Sequence, residues 1–310
     1  MNLRDLRYVV TVADLGHFGR AAEACNVSQP TLSGQILKLE QQLEVKIFER
    51  IGKRVQPTRV GSEIISHARR ALAEADEILA AADASRDPMV GGLRLGVIPT
   101  LAPYLMAHIL PRAALVLPSA PLVLVEEMTR HVMARLREGQ LDAALIATEP
   151  DGDRLEQREL FDDPFLLAMP ASHPLASTES IRLASVDPCS LLLLAEGHCL
   201  RDQALELCSN ARMATAAADV RASSLETLLH LAAAGYGVTL GPSLAWEARE
   251  GSGGRLVARP IAEKRARRRV RLVWRYGLPR AAALEALARV VRDSAPRCVV
   301  KIGGERTAGD

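Results

Sequence analysis

Strand-like and helix-like segments alternate from residue 90 onward, and this alternation limits the fold of most of the chain. GLRLGVIP, PLVLVEEMT and LDAALIAT are apolar runs of strand length, and MAHILPRAALVLP and HVMARLREGQ between them have helical spacing. Such alternation is typical of βαβ units with parallel strands. Aromatic residues make up only 3% of the chain, so Leu, Val, Ile and Ala must build the core. Residues 90–300 are therefore predicted to form an α/β domain.

The second half of this domain continues with a further set of strands and helices. FLLAMPAS, SLLLLAE, VRASS, YGVTLGP and VRLVWRY are predicted strands, and SLETLLHLAAAG and AAALEALARVVRDSA are predicted helices. Ser223 and Glu226 fit a capping box at the start of the first of these helices. Residues 301–310 are polar and are predicted to form a flexible tail.

Residues 1–58 have the pattern of a small helical domain that ends in a basic hairpin. The first helix is predicted to end at Gly16, and the third to begin with Ser28 as N-cap and Pro30 in its first turn. This pattern is typical of a helix-turn-helix: a short helix, a turn and a second helix with a polar N-terminus. The second helix of such a motif contacts base edges in the major groove of DNA. The turn carrying Lys53 and Arg54 suits a β wing.

The polar residues around the start of the third helix are candidates for contact with DNA. Glutamine can pair with adenine edges, and serine or threonine with several bases. Lysine and arginine are better placed for phosphates, which give affinity but little sequence choice. The candidates are Ser28, Gln29, Pro30, Thr31, Ser33, Gln35, Lys38, Arg50, Lys53 and Arg54.

Residues 59–89 are predicted to form one long linker helix. Its small apolar residues repeat at alternating spacings of four and three: Ile64, Ala68, Ala71, Ala75, Ile78 and Ala82. A helix with such a stripe packs against another helix, either from a second chain or from its own domain. Pairing with a second chain would make this segment a dimerisation helix.

The compartment follows from the absence of a recognisable export or membrane segment. MNLRDLRY places charges where a signal peptide needs apolar residues, and no apolar run approaches the ~18 residues of a membrane span. A cytoplasmic protein is therefore expected, and thiols are normally reduced there. The cysteines do not suit a disulfide framework or a zinc motif, and no cofactor motif is present.

The segment AAEACNVSQPTLSGQILKLEQQLEVKIFER resembles the winged helix-turn-helix of LysR-type transcriptional regulators. The order of the parts is also similar, since a DNA-binding head is followed by a long helix and an α/β domain. The resemblance implies an all-α winged head and an effector domain of two subdomains similar to periplasmic binding proteins. It also implies operator DNA and RNA polymerase as partners, a homodimer through the linker helix, and a homotetramer.

EGHCLRDQALELC resembles the redox segment of the hydrogen-peroxide-sensing members of that family. The resemblance implies that Cys199 reacts with hydrogen peroxide and that Cys208 then forms a disulfide with it, which a thiol reductant would reverse. IPT at positions 98–100 and Thr129 are similar to the peroxide pocket of those members.

The chemistry expected of these two cysteines follows from their positions. Cys199 stands at the start of a predicted helix, whose N-terminus favours negative charge, and His198 and Arg201 can add positive charge. On one regular helix, nine residues turn by about 900° and place the cysteines ~13.5 Å apart along the axis. A disulfide needs Cα atoms within about 7 Å, so its formation would require the helix to refold.

The other residues of the expected peroxide pocket are polar. Thr100 is expected to hydrogen-bond peroxide near Cys199, with Thr129, His198 and Asp202 completing the pocket. Arg268 in RARRRVRLVW is placed there by the resemblance, although such a basic run also suits a solvated strand edge.

Three alternatives stay open from the sequence. Two cysteines on one helix are often inert core residues, and Cys25, Cys189 and Cys298 are interpreted in this way. A regulator of this family could instead bind a small organic acid. A thiol peroxidase would use the same sulfur chemistry but would have no use for the head, so a non-enzymatic protein is expected.

Overall fold

The computed structural model describes residues 1–51, 54–84, 89–187, 190–209, 221–247 and 255–302. The chain divides into two compact units, one formed chiefly by residues 1–87 and the other by most of residues 88–310. Within the described residues, no helix is both long enough and apolar enough to cross a membrane.

The first unit is a helical head with a two-stranded hairpin. Gly16 ends the first helix with a left-handed φ of 61°, and the Ser28 side chain caps the third helix by accepting a hydrogen bond from the Thr31 N–H at 3.3 Å. Both predicted helix boundaries are confirmed. The elements are α1 (Leu3–Leu15), α2 (Phe18–Ala24), α3 (Gln29–Leu43), β1 (Phe48–Ile51), β2 (Arg54–Pro57) and α4 (Arg59–Ala84).

The core of the head forms where one face of α3 packs on α1 and α2. Leu32, Ile36 and Leu39 are buried at helical spacing and cluster with Val9 and Val12 of α1. Leu43, the next apolar residue at the same helical spacing, is 37% exposed and lies outside this cluster. Packing this face inward leaves the opposite, polar face of α3 in solvent.

The stripe of α4 is divided between two environments. At the start of the helix, Ile65 and Ala68 are buried and Ile64 packs against the head core. Further along, Ile78 is 71% exposed. Packing on its own domain therefore accounts for the first turns of the stripe and leaves Ile78 uncovered within one chain.

The second unit is built on a mixed, eight-stranded sheet. The strands follow the order β10-β6-β11-β5-β3-β4, and β9 and β12 also pair with β6. Strands β3, β4 and β5 are parallel, as predicted, whereas β6, β10 and β11 pair antiparallel. The strands of this sheet are β3 (Leu93–Val97), β4 (Leu122–Glu126), β5 (Ala143–Ile146), β6 (Leu155–Pro170), β9 (Thr239–Pro242), β10 (Leu256–Pro260), β11 (Arg267–Arg275) and β12 (Val300–Lys301). A separate two-stranded sheet contains β7 (Leu193–Leu194) and β8 (Arg221–Ala222).

Strand β6 is longer than the sequence predicted. The prediction began at Phe165, but the strand begins at Leu155 because its charged first half pairs with β11. Its second half pairs with β9 and β10 instead. One strand therefore runs through both halves of the predicted effector domain.

The helices of the second unit cover the sheet. Ser224, not Ser223, is the N-cap of α8, because its side chain accepts a hydrogen bond from the Thr227 N–H at 3.2 Å. The predicted capping box was therefore wrong by one residue, and Glu226 accepts a hydrogen bond from the Tyr104 hydroxyl instead. The helices are α5 (Ala102–Val116), α6 (Thr129–Arg137), α7 (Cys199–Ser209), α8 (Leu225–Ala233), α9 (Ser243–Glu247) and α10 (Ala281–Ser294).

Candidate redox site and nucleic-acid interface

Three segments that follow parallel strands meet at one edge of the sheet. Thr100 follows β3, Thr129 begins α6 after β4, and Ala147 follows β5. Strand β3 lies between β4 and β5, so the carboxyl ends of all three strands are adjacent. In open α/β sheets, ligands bind at this edge.

The segment that contains Cys199 lies against this edge. The Gln203 side chain donates a hydrogen bond to the Ala147 carbonyl at 2.6 Å. Gly197 has a φ of 95°, and a Cβ there would lie 2.9 Å from the Met128 sulfur, so a larger residue would be both strained and crowded. Cys199, the first residue of α7, lies between these two contacts along the chain and is half-buried.

A buried ion pair lies beneath Thr100. The Arg268 guanidinium donates to the Thr100 hydroxyl at 2.8 Å and to the Thr100 carbonyl at 2.9 Å. It also bonds Asp163, and neither side chain of this pair is exposed. Arg268 therefore does not lie on a solvated strand edge, because β11 pairs with a strand on each side.

The remaining predicted pocket residues differ in burial and in their hydrogen-bond partners. The Thr129 hydroxyl oxygen is buried and has no hydrogen-bond partner among the described residues. His198 is buried, and its Nε2 must carry a hydrogen because it bonds the Ser223 carbonyl at 3.1 Å. Arg201 donates back to the Leu194 carbonyl at 3.0 Å, and Asp202 is exposed. Thr100 and Thr129 thus follow two of the adjacent strands against which the Cys199 segment lies, whereas Asp202 is exposed to solvent.

Cys199 and Cys208 lie at opposite ends of α7, in different environments. Both are free thiols, and Cys208 is fully buried. Burial raises the pKa of the Cys208 thiol and so keeps it protonated. Nine residues of continuous helix separate the two Cα atoms by ~13.5 Å along the axis, so no disulfide can form while α7 is intact.

The two chain segments that flank this region are joined to each other. Strand β7 pairs in parallel with β8, and the Ala195 N–H donates to the Ala222 carbonyl at 2.9 Å. The bond between His198 and the Ser223 carbonyl adds a third link. Residues 210–220, which join α7 to β8, lie outside the described part of the chain.

The other described cysteines have no such setting. Cys25 packs against the head core and donates to the Thr11 hydroxyl at 3.5 Å. Burial and a hydrogen bond with Glu247 raise the pKa of Cys298 to about 12. Cys189 lies outside the described residues. Within those residues, no group of three His, Cys, Asp or Glu side chains is arranged to hold a metal ion.

The second candidate site is the solvent-facing surface of α3. Thr31, Gly34 and Lys38 are exposed and Gln35 is half-exposed, at positions that share one helical face. Ser28, Gln29 and Pro30 are exposed at its N-terminal end, and Ser33 is half-buried beside it. The arrangement suits a helix that enters a groove with its N-terminal half.

The hairpin after α3 supplies the predicted wing. Arg50 and Arg54 lie in its paired strands, β1 and β2. The side chains of both, and Lys53 as a whole, lie outside the described part of the structure. Their assignment to phosphate contacts stays a prediction.

Sequence reasoning missed two residues of the redox site. Asp163 partners the buried Arg268, and Gln203 fastens α7 to the end of β5. Arg268 stands between Arg267 and Arg269, so the sequence did not mark it as a buried arginine that needs a carboxylate partner. The sequence could not identify which acidic residue this was, since the partners are 105 positions apart.

The comparisons with known proteins agree with this architecture. A family model described as the LysR substrate binding domain matches residues 86–296. Another, described as the bacterial regulatory helix-turn-helix protein of the lysR family, matches residues 3–62. The chain therefore belongs to the LysR family of bacterial regulators, which confirms the fold predicted for the head, linker helix and effector domain.

Within this family, the chain is similar to OxyR proteins over almost its whole length. The DNA-binding transcriptional dual regulator OxyR of Escherichia coli strain K12 is 40% identical over 292 residues, which are 94% of this chain and 95% of that protein. A full-length OxyR variant of Pseudomonas aeruginosa is 39% identical, with a TM-score of 0.81 over 98% of this chain and 99% of that one. An H2O2-bound OxyR mutant of Corynebacterium glutamicum is 32% identical, with a TM-score of 0.64 over 94% and 92%. The predicted resemblance is confirmed.

Proposed function

We propose that this protein is a DNA-binding regulator that senses hydrogen peroxide by oxidation of Cys199. The observation that carries the proposal is the position of Cys199, at the N-terminus of α7 and against the strand edge that holds the Thr100 and Thr129 hydroxyls. The oxygen of Thr129 has no partner among the described residues, and peroxide can both donate and accept hydrogen bonds. This set of groups suits a small polar oxidant.

The first chemical step is attack of the Cys199 thiolate on one peroxide oxygen. A sulfur–oxygen bond forms, the oxygen–oxygen bond breaks, and the second oxygen leaves as hydroxide and is protonated to water. Cys199 is the first residue of α7, where unpaired backbone N–H groups face the reacting atoms, and the buried His198 beside it completes a polar surround. The product is a sulfenic acid at Cys199.

The second step joins the two cysteines. The Cys208 thiolate attacks the sulfenic sulfur, the sulfur–oxygen bond breaks, and hydroxide leaves with the thiol proton as water. Cys208 is buried at the far end of α7, so α7 must unfold before the sulfur atoms can meet. The oxidation therefore supplies the energy for a change of structure, which is what a switch requires.

The exposed face of α3 and the apolar stripe of α4 support two further parts of the proposal, which are DNA binding and self-association. The exposed polar residues of α3 would read an operator, and the uncovered Ile78 would join two chains into a dimer. The proposed partners are double-stranded operator DNA, a second and further copies up to a tetramer, RNA polymerase, and a cytoplasmic thiol reductant that resets the disulfide.

A map of disulfide-linked peptides tests the proposal. Reduced protein is treated with near-stoichiometric hydrogen peroxide and digested for mass spectrometry, with Cys199→Ser and Cys298→Ser compared in parallel. The expected result is a rapid Cys199–Cys208 link in the wild type and in Cys298→Ser, and none in Cys199→Ser.

Two results would contradict parts of the proposal. If both thiols remain free, the protein is not a peroxide sensor of this kind, and a regulator that binds an organic acid becomes the better reading. If the link forms but operator binding and promoter output do not change, the disulfide exists without acting as a switch.

A further inference from the structure

We infer that Asp163 is a positioning residue for the peroxide reaction: acting through Arg268, it makes the Thr100 hydroxyl a hydrogen-bond donor toward peroxide at Cys199. The inference rests on the proposed peroxide-sensing function. It concerns a residue on β6 whose hydrogen bonds go to Arg268, Ser243 and Leu244, and it assigns that residue a chemical effect at Cys199.

Asp163 is held rigidly by four hydrogen bonds. Its Oδ2 accepts from Arg268 Nε at 3.1 Å and Nη2 at 3.0 Å. Its Oδ1 accepts from the Ser243 hydroxyl at 2.8 Å and the Leu244 N–H at 3.3 Å. A fully buried carboxylate bonded on both oxygens fixes the plane of the guanidinium opposite it.

The ion pair also determines what Arg268 can do. A buried guanidinium without a counter-charge would attract any nearby anion, including a thiolate. Asp163 neutralises that charge at direct contact distance, so Arg268 acts mainly through the directions of its N–H groups. Two of these point at Thr100, one at its hydroxyl oxygen and one at its carbonyl.

The bond from Arg268 orients the Thr100 hydroxyl. An oxygen that accepts from Nη1 at 2.8 Å must direct its own hydrogen elsewhere. No described residue accepts that hydrogen. It is therefore available to the peroxide oxygen that leaves as hydroxide, and a donor aimed at developing negative charge lowers the barrier.

The test compares two reagents at Cys199 in a Cys208→Ser background, which stops the reaction at the sulfenic acid. Hydrogen peroxide releases hydroxide and needs a donor, whereas iodoacetamide releases iodide and needs none. Asp163→Asn is expected to slow sulfenic acid formation about 10- to 100-fold and to leave the rate of alkylation by iodoacetamide unchanged. Thr100→Val should have a similar selective effect. The double variant Asp163→Asn/Thr100→Val should form the sulfenic acid only slightly more slowly than either single variant.

Asp162→Asn is the matched control. Asp162 is the neighbouring buried carboxylate on β6, and it pairs with Arg269 at 2.8 Å and with Arg267 at 3.3 Å, not with Arg268. This variant should keep both rates. If Asp163→Asn fails to fold, Asp163→Asn/Arg268→Gln, which leaves no unpaired charge, should show the same selective loss.

Each outcome supports or overturns the inference. If Asp163→Asn slows the reactions with hydrogen peroxide and with iodoacetamide equally, Asp163 has only a structural role. If it changes neither rate, Asp163 has no role in the reaction. Either result overturns the inference. If the Cys208→Ser protein itself forms no sulfenic acid at Cys199, the proposed function fails instead, and the two failures are distinguishable.

Discussion

Glu40 is a buried carboxylate that joins α3 to the hairpin of the head. Its Oε1 accepts from the Ile47 and Phe48 N–H groups at 2.8 and 3.2 Å, and its Oε2 bonds Lys46 at 2.9 Å. Burial alone would raise the pKa of Glu40, but the hydrogen bonds from Lys46, Phe48 and Ile47 together lower it below its usual value. The folded head is therefore stabilised by the ionised form.

We expect Glu40→Gln to lower the free energy of unfolding of the head by about 1–3 kcal/mol at pH 7. The pKa of Glu40 is lower in the folded state, so this stabilisation is complete above its unfolded value of 4.5 and is lost as the pH falls through the folded value. Urea unfolding at pH 7 and near pH 3 measures it. The exposed Glu49→Gln is the control, and an equal deficit at both pH values would contradict the assignment.

Cys298 and Cys199 should differ strongly in reactivity. With a pKa of about 12, Cys298 stays protonated at pH 8, and it is partly shielded by its own domain. Brief treatment of the native reduced protein with iodoacetamide should label Cys199 and leave Cys298 unlabelled, as read by mass spectrometry. Labelling in denaturant is the control, because both thiols should then react; rapid native labelling of Cys298 would refute this.

Local chemistry explains which single residues could be predicted. Gly16 and Ser28 act within a few positions of the chain, and their roles were predicted correctly. Asp163 and Gln203 act through partners 105 and 56 positions away, which no local pattern can reveal. Ser223 and Ser224 both suit an N-cap, and only the backbone conformation decides between them.

At the scale of elements, α3 has two separable tasks. Its buried face holds the head together, and its exposed face offers amide and hydroxyl groups next to a lysine. Base contacts and phosphate contacts respond differently to mutation and to salt. The two kinds of residue on this face can therefore be told apart experimentally.

We expect Lys38→Ala to weaken binding to all DNA sequences alike and to reduce the slope of log affinity against log salt by about 1. Lys38 is exposed on α3 and is suited to a phosphate. Gln35→Ala should instead cost about 1–3 kcal/mol on the operator and little on unrelated DNA. Fluorescence anisotropy titrations at several salt concentrations measure both, and reversed behaviour would exchange the two assignments.

The elements also show where sequence patterns are informative and where they are not. Apolar runs predicted β3 and β5, whose residues are almost all buried. A similar run predicted β4, although it lies at the end of the strand order and exposes Val123 and Leu124. The first half of β6 is rich in charge, and those charges form ion pairs with the arginines of β11. A pattern based on hydrophobicity does not detect a strand stabilised in this way.

At the scale of the whole molecule, α4 is the element that one chain leaves incomplete. Ile78 is 71% exposed on a helix whose earlier turns are packed on the head. Exposed apolar residues that continue a buried stripe mark a surface for association. The order of head, linker and effector domain was predictable from the sequence, whereas the point at which α4 leaves its own domain was not.

We expect Ile78→Glu to weaken self-association at least 10-fold, because it places a charge in the proposed helix pair. Sedimentation equilibrium over a range of protein concentrations measures this. Asp76→Asn, at an exposed polar position of the same helix, should associate like the wild type. If Ile78→Glu associates normally, the dimer is held by another surface.

The pairing of β7 with β8 has a consequence for the speed of the switch. The two ends of the cysteine segment are tied together at Leu193–Leu194 and Arg221–Ala222, so α7 can unfold without releasing the rest of the domain. Cys208 then samples a volume limited by a short tether on Cys199, which corresponds to an effective concentration on the order of millimolar. Once α7 has unfolded, thiols in solution must compete with a partner held at this concentration. The tether thus favours an internal disulfide over a mixed one from the moment the helix opens.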